Sequence, residues 1–121
     1  MMFNAFTFYW LPNCSTCREA ASYLKQKGQR VTRYRDIKTD PLKWEEVEQL
    51  AELAGGASEL FSRRARKYRS MGLSEREISG DEMLDLMSEE YTFIKRPVLV
   101  NGKRAICGFS PKSYDSFLVT E

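Results

Sequence analysis

Tyr9-Trp10-Leu11-Pro12-Asn13-Cys14-Ser15-Thr16-Cys17-Arg18 places two thiols three residues apart where an apolar run gives way to a helical pattern. The run from Phe3 to Trp10 predicts a buried strand. The helical pattern begins at about Ser15, carries Ala20, Ala21, Tyr23 and Leu24 as its stripe, and ends at Gly28, which suits a left-handed C′ position. The Cys-x-x-Cys therefore falls on a strand-to-helix turn. Unpaired amides and the positive end of the helix dipole favour a thiolate at a helix N-terminus. Cys14, at or just before that terminus, is the expected nucleophile, its pKa drawn from about 8.5 into a window of roughly 3.5 to 7.5. Cys17, one turn on and on the same face, is the expected resolving thiol, placed to attack a mixed disulfide on Cys14. Ser15 and Thr16 suit a helix start and are expected to cap it and to donate to the Cys14 thiolate.

The competing readings of Cys-x-x-Cys are a zinc half-site, a framework disulfide and a pair of inert core thiols. The chain has 3 cysteines and no histidine, too few ligands for a tetrahedral structural zinc. An odd cysteine count and the absence of a cationic leader in Met-Met-Phe-Asn-Ala-Phe argue against a secreted disulfide framework, so a reducing cytoplasm is the expected compartment. At 121 residues, with 42% hydrophobic and 30% charged, one domain can bury its own core. No apolar run is long enough for a membrane span. A net charge of +2 is too small for general polyanion binding, so no direct nucleic-acid binding is expected.

Beyond Gly28 the chain reads in order. Gln29 to Ile37 predicts a second strand with Val31, Tyr34 and Ile37 as its apolar members, completing a βαβ unit with a parallel pair. Asp40-Pro41 is a strong helix start, an N-cap acceptor followed by proline at N1. Leu42, Trp44, Val47, Leu50 and Ala51 then carry a helix to Gly55-Gly56, with Trp44 in a packing role. Ser58 to Arg69, a short piece near Ser74 to Ile78, and Asp81 to Glu90 with Met83, Leu84 and Met87 inward complete an all-helical middle, Thr39 to Glu90. After Tyr91 to Ile94, strands Val98 to Val100 and Arg104 to Cys107 flank Asn101-Gly102, the dipeptide of a two-residue type I′ hairpin. Ser110-Pro111 opens a closing helix through Tyr114, Phe117 and Leu118. The order is βαβ, helices, ββα: a β-containing core of residues 1–38 and 91–121 with a helical insert, 39–90.

That order, with Cys-x-x-Cys after the first strand and proline opening the third, resembles the thioredoxin fold. More narrowly it resembles the arsenate reductase/Spx family (ArsC, Spx and YffB-like proteins), over essentially the whole chain. The carriers are Tyr9 to Cys14, Leu60-Phe61-Ser62-Arg63-Arg64, Lys95-Arg96-Pro97-Val98-Leu99-Val100 and Gly108-Phe109-Ser110 with Tyr114, the last closest to the YffB-like branch. The resemblance implies an α/β, glutaredoxin-like mixed sheet with an inserted helical subdomain, a nucleophile at Cys14, a cis Arg96-Pro97 bond, and Arg96 beside the site. Arsenate reductases of the family carry serine at Cys17, histidine at Trp10 and three arginines on the oxyanion. Arg96 matches one and Arg64, or else Arg63, the second. The third falls at or near Gly108, where no cation stands, and strand alternation puts Arg104 on the opposite face.

The resulting expectation is a monomeric thiol-disulfide reductase of this family, with Cys14, Cys17 and Arg96 catalytic and with Arg64, Pro97, Ser15 and Thr16 around the substrate. Glutathione or thioredoxin would restore the dithiol, and no metal or bound cofactor is implied. The alternatives are arsenate reduction and a Spx-like redox-switched regulator binding the RNA polymerase α subunit, for which Gly55-Gly56 falls near the contact region. Arg63, Arg64, Arg66, Lys67 and Arg69 form either a solvated helix face or an anion site. Cys107 is expected to be a buried small hydrophobe rather than a third redox thiol.

Overall fold

In the computed structural model, which describes residues 5–119, the opening apolar run forms β1 (Phe6–Trp10). Its expected start at Phe3 lies outside the described residues. α1 (Ser15–Gln26) follows and stops as the sequence predicts: Gly28 adopts φ +70°, the Gln29 amide reaches the Leu24 carbonyl, and the Gly28 amide reaches that of Lys25. These two bonds are the Schellman pattern, which satisfies carbonyls the helix leaves open. β2 (Val31–Asp36) then runs parallel to β1.

β3 (Val98–Val100) and β4 (Ala105–Cys107) complete a sheet of order β2-β1-β3-β4, with β3 antiparallel to both β1 and β4. This is the thioredoxin-like arrangement. Phe8, Leu99 and Ile106 share one row across the sheet and pack on the same side as Ala20 and Leu24 of α1 and Tyr114 and Phe117 of α6 (Pro111–Val119). The next row, Tyr9, Val98 and Cys107, lies one residue nearer the thiol turn. Ser110 caps α6 as expected, its Oγ accepting from the Ser113 amide at 3.1 Å.

The chain divides into two compact units. One runs up to Asp40 and resumes at Arg96, and the other is Pro41–Lys95. The second holds α2 (Trp44–Ala54), α3 (Ala57–Leu60), α4 (Arg66–Ser70) and α5 (Gly80–Glu89), with 3-10 turns at Leu73–Glu75 and Tyr91–Phe93. Val47, Leu50, Leu60, Phe61, Met83, Leu84, Met87 and Phe93 are buried in this unit, Phe61 and Phe93 stacking at 5.4 Å. Trp44 packs half-buried with its indole N–H donating to Asp85 at 2.9 Å.

Several local expectations are corrected. Tyr34 is 50% exposed, whereas Arg35 is buried at 7%, because β2 pairs only with β1 and its inward guanidinium has a partner. Arg35 Nε donates to the Asp40 carbonyl at 3.1 Å and sits 3.3 Å from the Asp40 carboxylate. Asp40 is thereby committed to β2 and caps nothing; α2 starts at Trp44, and Glu46 closes its first turn by accepting from the Lys43 amide at 2.9 Å. The helix expected over Ser58 to Arg69 is broken, since Phe61 bridges Ile94 and the Ser62 amide donates to the Phe93 carbonyl at 2.7 Å. A backbone paired across to another segment cannot make its helical bonds. The piece expected near Ser74 to Ile78 is reduced to the 3-10 turn at Leu73–Glu75. The hairpin turn is displaced by one residue. The Asn101 amide pairs with the Arg104 carbonyl at 3.1 Å, which leaves Gly102 (φ +95°) and Lys103 at the centre. Asn101 does not take the positive φ a type I′ turn needs; its Oδ1 instead accepts from the amides of Lys103 and Arg104 at 2.9 and 2.8 Å.

Candidate active site

The thiol turn is closed by backbone. The Cys14 amide donates to the Leu11 carbonyl at 3.0 Å, and the Cys14 carbonyl accepts the first helical bond from Arg18 at 3.0 Å. Cys14 is the N-cap of α1 with extended backbone, and no side chain caps the helix. Ser15 and Thr16 are thus the first helical residues rather than caps; both are exposed, and neither hydroxyl is hydrogen-bonded among the described residues. The first turn of α1 also holds no carboxylate, whereas α2 begins with Glu45 and Glu46 and α5 with Asp81 and Glu82. Acidic residues are the usual complement to the dipole at a helix start. Their absence leaves the positive end of α1 to the sulfur of Cys14. Arg18 ties down the other side of the turn, its guanidinium donating to the Pro12 carbonyl at 3.1 Å.

The three cysteines are unbonded. Cys14 is half-buried, and Cys17 is fully buried with its thiol hydrogen-bonded to Cys14. Burial above all pushes the Cys17 thiol up to about 12; a backbone hydrogen bond at Leu11 opposes this, the hydrogen bond to Cys14 and the charge there add to it, and the Arg96 cation pulls it back. The burial effect is the ordinary cost of removing a thiolate from water. Arg96 is therefore within electrostatic reach of Cys17.

The Arg96-Pro97 bond is cis, and antiparallel register sets Pro97 one step beyond the Tyr9 and Val98 pair, opposite Trp10. Its carbonyl accepts from the Gly108 amide at 2.7 Å. Trp10 is half-buried between Phe8 and Tyr34, ring centres 5.7 and 5.1 Å away. Cys107 is half-buried, not the fully buried hydrophobe expected, because β4 is an edge strand.

Arg64, expected near the thiols, lies exposed in the turn between α3 and α4, its amide donating to Ser62 Oγ at 3.3 Å. Arg63 stacks over Phe61 at 5.7 Å, and Lys67 pairs with Glu90 at 2.6 Å, so the basic run is not one helical face. Arg104 stacks over Phe117 at 4.8 Å. Gly108 leaves the third arginine position without a cation.

Two residues assigned no site role from the sequence take part in this geometry. Leu11 contributes backbone to both cysteines, its carbonyl accepting from the Cys14 amide and its backbone hydrogen-bonding the Cys17 thiol, a role that no side-chain pattern can signal. Tyr114 is fully buried. Its hydroxyl donates to the Gly108 carbonyl at 2.9 Å, and its pKa is held above the usual tyrosine range by burial first and then by Cys17 and Cys107. A tyrosine at a position that packing alone would fill with phenylalanine is the signal that could have found it.

Residues 9–117 match the model of the ArsC family. The chain belongs to the ArsC family. Among its relatives, the uncharacterized protein YusI of Bacillus subtilis (strain 168) is 33% identical over 112 residues, covering 90% of this chain and 94% of that protein. The global transcriptional regulator Spx of Streptococcus agalactiae serotype V is 27% identical over 113 residues, covering 93% of this chain and 82% of the regulator. The solved structure of a "possible arsenate reductase" from Streptococcus mutans UA159 superposes with TM-score 0.74 at 29% identity, covering 93% of this chain and 98% of that one. ArsC-family likeness thus extends to proteins named as enzymes and to proteins named as regulators. Among the described residues, no helix is long and apolar enough to cross a membrane.

Proposed function

We propose that this ArsC-family chain is a thiol-disulfide oxidoreductase of the reducing cytoplasm. The observation that carries the reading is the hydrogen-bonded pair of Cys14 at the uncapped start of α1 and Cys17 buried behind it. The Cys14 thiolate attacks one sulfur of a disulfide, RSSR, forming a mixed disulfide and expelling RS⁻, which takes up a proton. Cys17 then loses its proton and attacks the Cys14 sulfur, forming the Cys14–Cys17 disulfide and releasing the second thiol. Two electrons pass from the dithiol to the substrate. Two equivalents of glutathione, or a thioredoxin dithiol, return them.

The burial of Cys17 gives these steps an order. While Cys14 is a thiolate, its charge and its hydrogen bond hold the Cys17 proton in place; once Cys14 is bonded to substrate both influences vanish, and Cys17 ionises more readily. Arg96 favours the charged form of Cys17 at that step. Pro97, Ser15 and Thr16 line the edge at which substrate approaches. A Cys14→Ser variant is expected to lose all disulfide reduction, and full activity in that variant would eliminate the proposal.

The regulator reading draws on the relatives named Spx, which this chain matches over 93% of its length. In that reading the same Cys14 and Cys17 pair is a switch, and the partner is the RNA polymerase α subunit. Binding to immobilised α subunit by oxidised or reduced protein would support it; no binding in either state removes it. Arsenate reduction draws on Arg96 beside the thiols, and turnover of arsenate with glutathione or thioredoxin as donor is its test.

A further inference from the structure

Among the described residues, the fully buried aromatic side chains are Phe6, Phe8, Phe61 and Phe93, with one exception to the phenylalanines, Tyr114. Packing does not explain the exception, because a phenylalanine ring fills the same space and a buried hydroxyl costs stability unless it is hydrogen-bonded. The Tyr114 hydroxyl is bonded, and its acceptor is informative. It donates to the Gly108 carbonyl at 2.9 Å, while the amide of the same glycine donates to the carbonyl of Pro97 at 2.7 Å. Gly108 has φ +80°, the left-handed region open to glycine, and follows directly on β4. A relay of two hydrogen bonds thus runs from the centre of the α6 face to the cis-proline that opens β3.

The ring is fixed as firmly as the hydroxyl. Phe109 meets it edge to face at 4.9 Å and itself packs tilted against Tyr23 of α1 at 5.5 Å. Tyr23 donates to Asp115, the residue after Tyr114. The helix bearing the thiols and the helix bearing Tyr114 are thereby held together. Tyr114 also lies within electrostatic reach of both Cys17 and Cys107.

We propose that Tyr114 is a positioning residue of the thiol site: its hydroxyl holds Gly108, and through Gly108 the Pro97 carbonyl, so that the proline segment keeps its place beside the Cys14 and Cys17 turn. The inference rests on the oxidoreductase reading above and adds to it a residue that touches neither substrate nor the reacting bond. Its effect falls on reactions that need a second molecule aligned against the proline segment. Simple alkylation of Cys14 needs only an accessible, ionised sulfur, and is indifferent to it.

The test compares two rates at Cys14 in the full-length protein, exchange with oxidised glutathione and alkylation by iodoacetamide, in wild type, Tyr114→Phe and Phe117→Leu. Tyr114→Phe keeps the ring and removes the hydroxyl. Loss of one buried hydrogen bond predicts exchange slowed about tenfold with alkylation unchanged, so the ratio of the two rates falls about tenfold. Phe117→Leu loosens the same helix through the core and is expected to lower the thermal midpoint with the ratio unchanged. An unchanged ratio in Tyr114→Phe overturns the positioning role and leaves the thiol chemistry standing. A wild-type protein that exchanges with no disulfide overturns both.

Discussion

The Cys17 thiol, buried behind the first turn of α1, is hydrogen-bonded to Cys14 at the N-cap and keeps its proton there. Removing Cys17 should therefore separate the two halves of the reaction. In Cys17→Ser, attack by Cys14 proceeds and the mixed disulfide accumulates, because no thiol follows to release it. Mass spectrometry after treatment with oxidised glutathione is expected to find a stable adduct on Cys14, whereas the wild type passes on to an internal disulfide. An adduct equally persistent in the wild type would show that Cys17 does not resolve it.

The same burial ties stability to pH. Cys17 holds its proton to about 12 in the folded chain, against 9.0 for an ordinary thiol. The native state therefore binds more protons than the unfolded state across that interval, and stability must fall as pH rises through it. The contribution is fully present below about pH 9 and is lost by about pH 12. Urea unfolding followed from neutral pH upward is expected to show the decline, and Cys17→Ala should flatten it. An identical slope in the variant would assign the effect to other groups.

Asp40 serves β2, not α2. Its carboxylate lies 3.3 Å from Arg35 Nε, a guanidinium of which little reaches solvent. Asp40→Ala is expected to cost about 1 kcal/mol, since it leaves a largely buried cation with one fewer acceptor. In an Arg35→Met background that cost should disappear. A cost unchanged by the second substitution would mean that Asp40 acts on the helix start after all.

At α5 a side chain caps the helix start. Ser79 Oγ accepts from the Glu82 amide at 3.1 Å, and Ser79→Ala is expected to lower stability by about 1 kcal/mol. The effect should appear as a lower urea midpoint with an unchanged slope.

What the sequence by itself determined was everything carried by short-range chemistry and by period. The Cys-x-x-Cys at the end of an apolar run, Gly28 after a helical stripe, Ser110-Pro111 before one, the parallel sense of the first two strands and the antiparallel sense of the last two all follow from local pattern and connection. They are found where those residues place them. What only tertiary structure decided was the use of polar groups with more than one available partner. Asp40 could cap a helix or hold Arg35, and the buried guanidinium on β2 took it. Phe61 could continue a helix or bridge Ile94, and that bridge leaves Arg64 in a turn. Asn101 could enter the hairpin turn or accept two amides from outside it, and it does the second. Tyr114 reads locally as one more apolar helix position, and only the folded chain brings Gly108 to its hydroxyl. A polar group serves the partners that reach it, and when two compete the choice rests with whichever the rest of the fold brings within hydrogen-bond distance.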